Sequence, residues 1–156
     1  TRTAVAFQHR DIRNILINTH NSADRADIFK ILDDGPGERG SPRNRYAARA
    51  LETADIYEIT LAALALSPPA TELSWNNGND CIAKRIETIC PDPMDRPVKA
   101  QITRAIEQMQ ALAEKHFERQ PILEWIPTKG LHILDPYFLF YLRWSEKYEA
   151  VHLQYA

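Results

Sequence analysis

The stretch from Pro121 to Trp144, PILEWIPTKGLHILDPYFLFYLRW, constrains the fold more than any other part of the chain. Two short apolar runs, residues 121–126 and 131–134, flank the turn sequence Pro-Thr-Lys-Gly. Gly130 provides the backbone freedom that a tight reversal requires. Alternating apolar residues on both sides of such a turn are typical of paired antiparallel strands. The sequence therefore predicts a β-hairpin here.

The residues after this hairpin predict a helix that reaches about Tyr148. Asp135 is a favourable N-cap residue, and Pro136 suits the first helical position because its missing N–H is not needed there. Four aromatic residues of this segment recur at helical spacing. Such a stripe usually packs in the core or at an interface with a neighbouring domain or a second copy. We predict an interface formed by Tyr137, Phe140, Tyr141 and Trp144.

Apolar residues at helical spacing predict further helices before the hairpin. They lie at about 10–19, 23–32, 45–67, 80–89 and 97–117. The segment 35–44 is rich in glycine and proline and reads as a linker. We therefore divide the chain into an N-terminal helical segment with its linker, residues 1–44, and a domain of residues 45–156. The predicted fold class is mainly α with one β-hairpin.

The order of these elements and the residues around the hairpin resemble the C-terminal winged-helix domain of archaeal-type P-loop ATPases, in the wider AAA/STAND class. The resemblance covers about residues 57–146. It implies a winged helix-turn-helix preceded by a small helical lobe, with ITRAIEQMQALAE as the recognition helix. No GxxxxGK[ST] loop occurs, so the ATPase core has no counterpart here. The chain would then be the C-terminal part of an ATPase or a stand-alone relative. The matching residues are Leu131, Ile133, Asp135, Pro136, Phe138, Phe140, Tyr141, Leu142, Arg143 and Trp144.

A winged helix of this kind implies a regulatory module that binds double-stranded DNA, with polar side chains on the recognition helix and at the wing tip. Residues 71–131 carry eight Lys or Arg against nine Asp or Glu, a net charge of −1. A surface that neutralises phosphates is normally basic, so a protein–protein or dimerisation adaptor of the same fold stays open as the alternative. The candidate DNA-binding residues are Lys99, Gln101, Arg104, Gln108 and Lys129.

A cluster of four arginines stands in the glycine-rich segment and just after it, with no acidic residue between Glu38 and Glu52. Such a cluster is compatible with a site for phosphate or a nucleic-acid backbone. Equally, the arginines fit a solvated linker in which they pair with Asp33, Asp34 or Glu38. The four residues are Arg39, Arg43, Arg45 and Arg49.

Composition and motifs limit the other classes of function. The net charge of −2 gives no general attraction to nucleic acid or anionic lipid. No apolar run approaches the roughly 20 residues of a membrane span, so we expect no membrane partner. Cys81 and Cys90 fit neither a disulfide scaffold nor a zinc site, which favours reduced thiols in a cytoplasmic protein. No catalytic constellation or metal-ligand spacing occurs, so we expect no enzyme activity, no metal and no cofactor.

Overall fold

The computed structural model describes residues 23–38, 40–117 and 121–154. A single turn of 3-10 helix, Pro93–Asp95, precedes the longest helix. The elements in chain order are α1 (Ala23–Asp34), β1 (Tyr46–Ala48), β2 (Glu52–Ala54), α2 (Ile56–Ala65), β3 (Glu72–Leu73), α3 (Ile82–Ile89), α4 (Lys99–His116), β4 (Leu123–Ile126), β5 (Gly130–Ile133), α5 (Pro136–Trp144) and α6 (Glu149–Gln154).

The hairpin predicted around Gly130 is confirmed, and we call β4–β5 the second hairpin. Its strands are antiparallel, with Trp125 opposite Leu131 and Ile126 opposite Gly130. The hairpin leans on the preceding helix, because the side-chain oxygen of Gln110 in α4 accepts a hydrogen bond from the backbone N–H of Trp125 at 2.9 Å. The predicted arrangement of helix and hairpin is therefore present.

A third strand, β3, lies in a segment that the sequence predicts as loop. Glu72 pairs with His132 and Leu73 with Leu131, so the strand order of the sheet is β3-β5-β4. The loop prediction is wrong at these two residues because an edge position on β5 buries the Leu73 side chain. Gly130 permits this pairing, since a Cβ there would lie 2.3 Å from the Leu73 carbonyl oxygen.

Residues 45–67 do not form the single helix that the sequence predicts. Strands β1 and β2 form an antiparallel hairpin instead, which we call the first hairpin. Two hydrogen bonds tie it to distant parts of the chain. The Arg49 N–H donates to the Ile89 carbonyl at 2.9 Å, and the Ala47 N–H donates to the Asp95 carboxylate at 2.9 Å. These contacts override the helical propensity of the local sequence. The chain thus has a further hairpin beyond the one predicted.

The C-terminal part of the predicted long helix is helical, as α2. Asp55 is its N-cap, and the Asp55 carboxylate accepts backbone hydrogen bonds from Tyr57 at 2.9 Å and Glu58 at 3.0 Å. The Glu58 carboxylate accepts in turn from the Asp55 N–H at 2.7 Å, which completes a capping box. Every residue from 59 to 65 is buried. This helix therefore lies at the centre of the core.

The remaining helices follow the sequence prediction with three differences. The longest helix begins at Lys99 rather than at Pro97, because the residue between them is extended. The helix predicted to reach Tyr148 ends at Trp144, and a separate helix begins at Glu149. The helix predicted at 10–19 lies outside the described residues.

Helix α1 contributes Ile28 and Leu32 to the same apolar core as α2 and α4. The predicted fold class is confirmed in part: the helical domain with a hairpin before α5 is present, but the described chain is mixed α/β, with two small antiparallel sheets instead of one hairpin. The division at residues 44 and 45 stays a prediction. Within the described ranges, no helix combines the length and apolar character needed to cross a membrane.

Candidate functional site

Helix α4 has three distinct sides. One side, which includes Ile102 and Met109, is buried in the core. A second side faces the second hairpin through Gln110. The third side faces solvent and the segment that precedes the first hairpin. A contact surface on α4 is therefore restricted to this third side and its edges.

The predicted DNA-binding residues do not form one continuous face. The Lys99 ammonium lies over the Trp75 ring, 5.6 Å from its centroid, near the edge of α4 that faces the hairpin. Arg104 is on the other side of the helix, because residues five apart on a helix are separated by about 140°. Lys129 is exposed in the turn of the second hairpin.

The solvent-facing side of α4 has no positive charge excess. Arg104 and Lys115 are balanced by Glu107 and Glu114, all four exposed. On the second hairpin, exposed Glu124 offsets Lys129. These acidic side chains would repel DNA phosphates close to the basic side chains that attract them. The exposed residues of this side are Ala100, Arg104, Glu107, Ala111, Glu114 and Lys115.

A concave site lies where α4 meets the segment before the first hairpin. It has a volume of about 300 Å³. Gln101, Arg104 and Gln108, three of the predicted DNA-binding residues, contribute to its wall together with Arg43 of the arginine cluster. Sequence reasoning assigned these residues to two separate sites, and the fold brings them together. We call this site the α4 cleft, defined by Arg43, Tyr46, Tyr57, Gln101, Arg104 and Gln108.

Tyr57 is held in the α4 cleft by contacts with three other residues. Gly35 packs so closely on its ring that a Cβ at Gly35 would lie 2.7 Å from it. The Arg43 guanidinium lies over the ring, 4.8 Å from its centroid. The Tyr57 hydroxyl donates a hydrogen bond to the side-chain oxygen of Gln108. Burial raises the pKa of this hydroxyl, although the Arg43 charge opposes the shift. The hydroxyl is therefore protonated at neutral pH.

Two members of the arginine cluster form ion pairs and hydrogen bonds with other residues of this chain. Arg43 pairs with Asp55 at 2.9 Å. Arg45 donates to the Thr53 carbonyl at 2.8 Å and pairs with Glu58 at 3.2 Å. These acids differ from the partners that the linker interpretation names. Arg49 is exposed in the turn of the first hairpin, and Arg39 lies outside the described residues.

A charged cluster that the sequence did not indicate joins α1, α2 and the segment between α5 and α6. The Lys147 ammonium donates to Asp33 at 2.7 Å and to Glu58 at 2.7 Å. The Tyr148 hydroxyl donates to Asp33 at 2.6 Å. Arg45 completes the cluster on the other oxygen of Glu58. The acids of this cluster are thus engaged in ion pairs that join separate elements.

The pKa shifts in this cluster follow from those contacts. Burial alone would raise the pKa of Glu58, but the hydrogen bonds from Lys147 and the Asp55 backbone lower it overall. Burial alone would lower the pKa of Lys147, but its bonds to Asp33 and Glu58 raise it overall. Burial and the nearby Asp33 raise the pKa of Tyr148. All three groups therefore keep their usual charge at neutral pH.

Two arginines satisfy the carbonyl groups at the C-terminal end of α2, which has no basic residue in its last turn. Arg85, itself buried, donates to the carbonyls of Ala63 at 3.2 Å and Leu66 at 3.0 Å. Arg143 donates to the Ala65 carbonyl at 3.2 Å. Burial and the nearby Arg85 charge lower the pKa of Arg143. These arginines therefore stabilise a helix end and are not available to a ligand.

The predicted interface residues line one side of α5, and we call them the aromatic face. Its C-terminal half is partly buried: the Tyr141 ring is 5.5 Å from Phe29, and the Trp144 ring is 4.9 Å from His152. Its N-terminal half faces solvent, with Tyr137 62% and Phe140 39% exposed. The aromatic face consists of Tyr137, Phe140, Tyr141 and Trp144.

No group of three or more His, Cys, Asp or Glu side chains could hold a metal ion in the described part of the chain. Cys81 and Cys90 are buried and free. Burial, together with the nearby Asp95, raises the pKa of Cys90 to about 11. This thiol is therefore protonated at neutral pH and a poor nucleophile.

No protein-family model, curated protein or solved structure matches this chain.

Two elements of the site escaped the sequence analysis. The capping pattern Asp55-x-x-Glu58 marks the start of α2 and was a usable signal. Tyr46 and Tyr57 enter the α4 cleft only because the first hairpin turns back on α4, and no local pattern indicates this.

Proposed function

We propose that residues 56–133 form a winged helix, and that the chain is a non-catalytic interaction module that self-associates through the aromatic face. The order of elements supports the fold: helix, strand, helix, helix and then two strands, with β3 hydrogen-bonded to β5. In a winged helix the first strand pairs with the last one in this way. In this proposal α4 occupies the recognition-helix position and the second hairpin is the wing.

One observation carries the choice of a protein partner. Leu134, Tyr137 and Phe140 are 46%, 62% and 39% exposed and lie together at the start of α5. Tyrosine and phenylalanine are enriched at protein interfaces because a large apolar surface is removed from water on contact. Among the residues that the structure describes, no charged side chain of α5 lies between the members of the aromatic face. Two copies can therefore meet there without charge repulsion, which favours a second copy of this chain.

Sedimentation equilibrium over a concentration series tests self-association. We expect a monomer–dimer equilibrium for the wild type and a monomer for Tyr137→Ser with Phe140→Ser, which removes the exposed half of the aromatic face. Met94→Ser is the control, because Met94 is 93% exposed on the turn before α4. A wild type that stays monomeric, or equal weakening by Met94→Ser, would contradict the proposal.

DNA binding is the second candidate, favoured by the position of α4 in the proposed winged helix and by the exposed Arg104 and Lys129. It predicts an affinity for duplex DNA that falls steeply with salt concentration. Lys99→Glu with Arg104→Glu should abolish this affinity in a gel-shift titration. Lys30→Glu, at an exposed position of α1, should leave it nearly unchanged. Unchanged binding by the double variant would reject this candidate.

A further inference from the structure

The α4 cleft has the dimensions of a small-molecule site. Its volume of about 300 Å³ lies at the lower end of the range in which proteins enclose organic ligands. A second cavity of about 720 Å³ shares Arg104 and Gln108 with it and is also lined by Pro36 and Glu38. The two cavities therefore adjoin each other along Arg104 and Gln108 of α4.

The charges of the α4 cleft favour an anion. Arg43 is neutralised by Asp55 at 2.9 Å. The Arg104 guanidinium has neither a hydrogen bond nor an ion pair with any residue that the structure describes. No Asp or Glu is among the described residues that line the cleft. One guanidinium without an ion pair to a described residue thus lines the cleft, while Glu38 lines the adjoining cavity. A guanidinium binds a carboxylate through two parallel hydrogen bonds.

The walls of the α4 cleft favour an aromatic ligand. Tyr57 is fixed by Gly35 and Arg43 and is only 4% exposed, so it contributes a small, rigid part of an aromatic side chain to one wall. At the opposite end the Gln101 side-chain amide donates to the Tyr46 hydroxyl at 3.4 Å. Ile56 and Ala105 add apolar surface. A site with fixed aromatic and apolar walls loses little conformational entropy when it binds a flat ring.

We propose that the α4 cleft binds a small aromatic monoanion, a single ring that carries one carboxylate. The carboxylate pairs with Arg104, and the ring lies against the Tyr57 and Tyr46 side chains. This site is separate from the aromatic face of α5 and does not depend on self-association.

An NMR titration of the full chain with benzoate and with benzamide tests the proposal. The two molecules have nearly the same shape, but only benzoate carries a charge. We expect benzoate to shift the backbone amides of residues 43–46, 56–57 and 101–108. Benzamide should bind at least about tenfold more weakly, because it cannot form the charge-assisted pair. Equal affinities, or benzoate shifts located elsewhere, would overturn the proposal.

Two substitutions test whether the positive charge that binds the carboxylate is that of Arg104. Arg104→Gln removes the positive charge, and Gln108→Glu neutralises it while an acceptor for the Tyr57 hydroxyl is retained. Each should weaken benzoate at least about tenfold and leave benzamide unchanged. Lys115→Gln is the matched control, since Lys115 lies on the same helix about 16 Å away. Wild-type benzoate affinity in Arg104→Gln would overturn the assignment.

Titrations with other anions test whether the cleft is specific for an aromatic carboxylate. Inorganic phosphate should shift the same amides far more weakly than benzoate, because it gains no contact with the tyrosine rings. Short duplex DNA should not displace benzoate. Phosphate binding as tight as benzoate, or displacement by DNA, would show a general anion or nucleic-acid site and would contradict the proposal.

Discussion

The first hairpin (β1–β2) and the second hairpin (β4–β5) differ in how their turns are encoded. In the second hairpin Gly130 occupies the positive-φ position, at φ +120°. In the first hairpin Ala50 and Glu52 have φ values of 65° and 60°, where residues with a side chain are strained. The glycine therefore makes the turn of the second hairpin predictable from the sequence. The turn of the first hairpin is not predictable, because Ala50 and Glu52 are good helix formers.

The two hairpins also differ in what holds them. The second hairpin is supported by its own alternating apolar residues and by the adjacent helix α4. The first hairpin is bonded to Ile89 and Asp95, which lie far along the chain. A hairpin that is stabilised by residues close to it in the sequence can be predicted from that sequence, whereas a hairpin that is stabilised by distant contacts cannot. The following predictions test this difference, from the largest expected effect to the smallest.

Gly130→Ala should destabilise the protein by roughly 3 kcal/mol, measured by urea unfolding. The substitution combines backbone strain with a Cβ placed 2.3 Å from the Leu73 carbonyl oxygen. Gly78→Ala is the matched control, because Gly78 has φ +84° but no atom within 4 Å of the added Cβ. The control should lose only about 1 kcal/mol, for strain alone. Equal losses would show that β3 does not approach Gly130 closely.

Asp55→Ala should destabilise the protein by roughly 2 kcal/mol, because it removes the N-cap of α2 and the ion pair with Arg43. Asp135→Ala removes a cap whose carboxylate accepts, from the residues that the structure describes, one hydrogen bond, from the Tyr137 N–H at 3.0 Å. It should lose about 1 kcal/mol. Hydrogen exchange should show weakened protection of residues 46–54 in Asp55→Ala alone. A larger loss in Asp135→Ala would contradict the role given to Arg43.

Ala50→Gly should stabilise the protein by about 0.5 kcal/mol, because glycine relieves the strain at φ 65°. Were residues 45–67 a helix, as their local sequence predicts, the same change would destabilise it by about 1 kcal/mol. Ala47→Gly, in strand β1, is the control and should be destabilising. The sign of the Ala50→Gly effect in thermal or urea unfolding therefore separates the two structures.

Lowering the pH should weaken the contacts that hold the first hairpin before it weakens those that hold the second hairpin. The pKa of Glu58 is lowered overall, since hydrogen bonds from Lys147 and the Asp55 backbone outweigh the effect of burial. A lowered pKa stabilises the fold above the unfolded-state value, and this contribution is lost as pH falls through the folded-state value. Conversely, the raised pKa of Lys147 stabilises the fold until pH rises through that pKa, above 10.5.

Unfolding experiments at about pH 6 and about pH 3 test this dependence. The wild type should lose more stability on acidification than Glu58→Gln, which has no carboxylate to protonate. Amide exchange should accelerate first around residues 46–58. Parallel losses in the two proteins would show that Glu58 contributes nothing to the pH dependence.

The sequence by itself determined the second hairpin, the cap formed by Asp135 and Pro136, and the helical segments with a clear apolar stripe. Each of these depends on residues within a few positions of one another. The turn glycine, the capping carboxylate and the helical periodicity all act through local backbone geometry. This geometry depends on consecutive residues and can therefore be predicted from the sequence.

Only the tertiary structure decided the first hairpin, the pairing of β3 and the composition of the α4 cleft. Arg43 and Arg104 line the same cleft although they are distant in sequence, because the first hairpin folds back on α4. Likewise, Lys147 meets Asp33 and Glu58 only after three segments have packed. Such contacts depend on how elements are placed, and that placement results from burying the shared apolar core rather than from any local pattern.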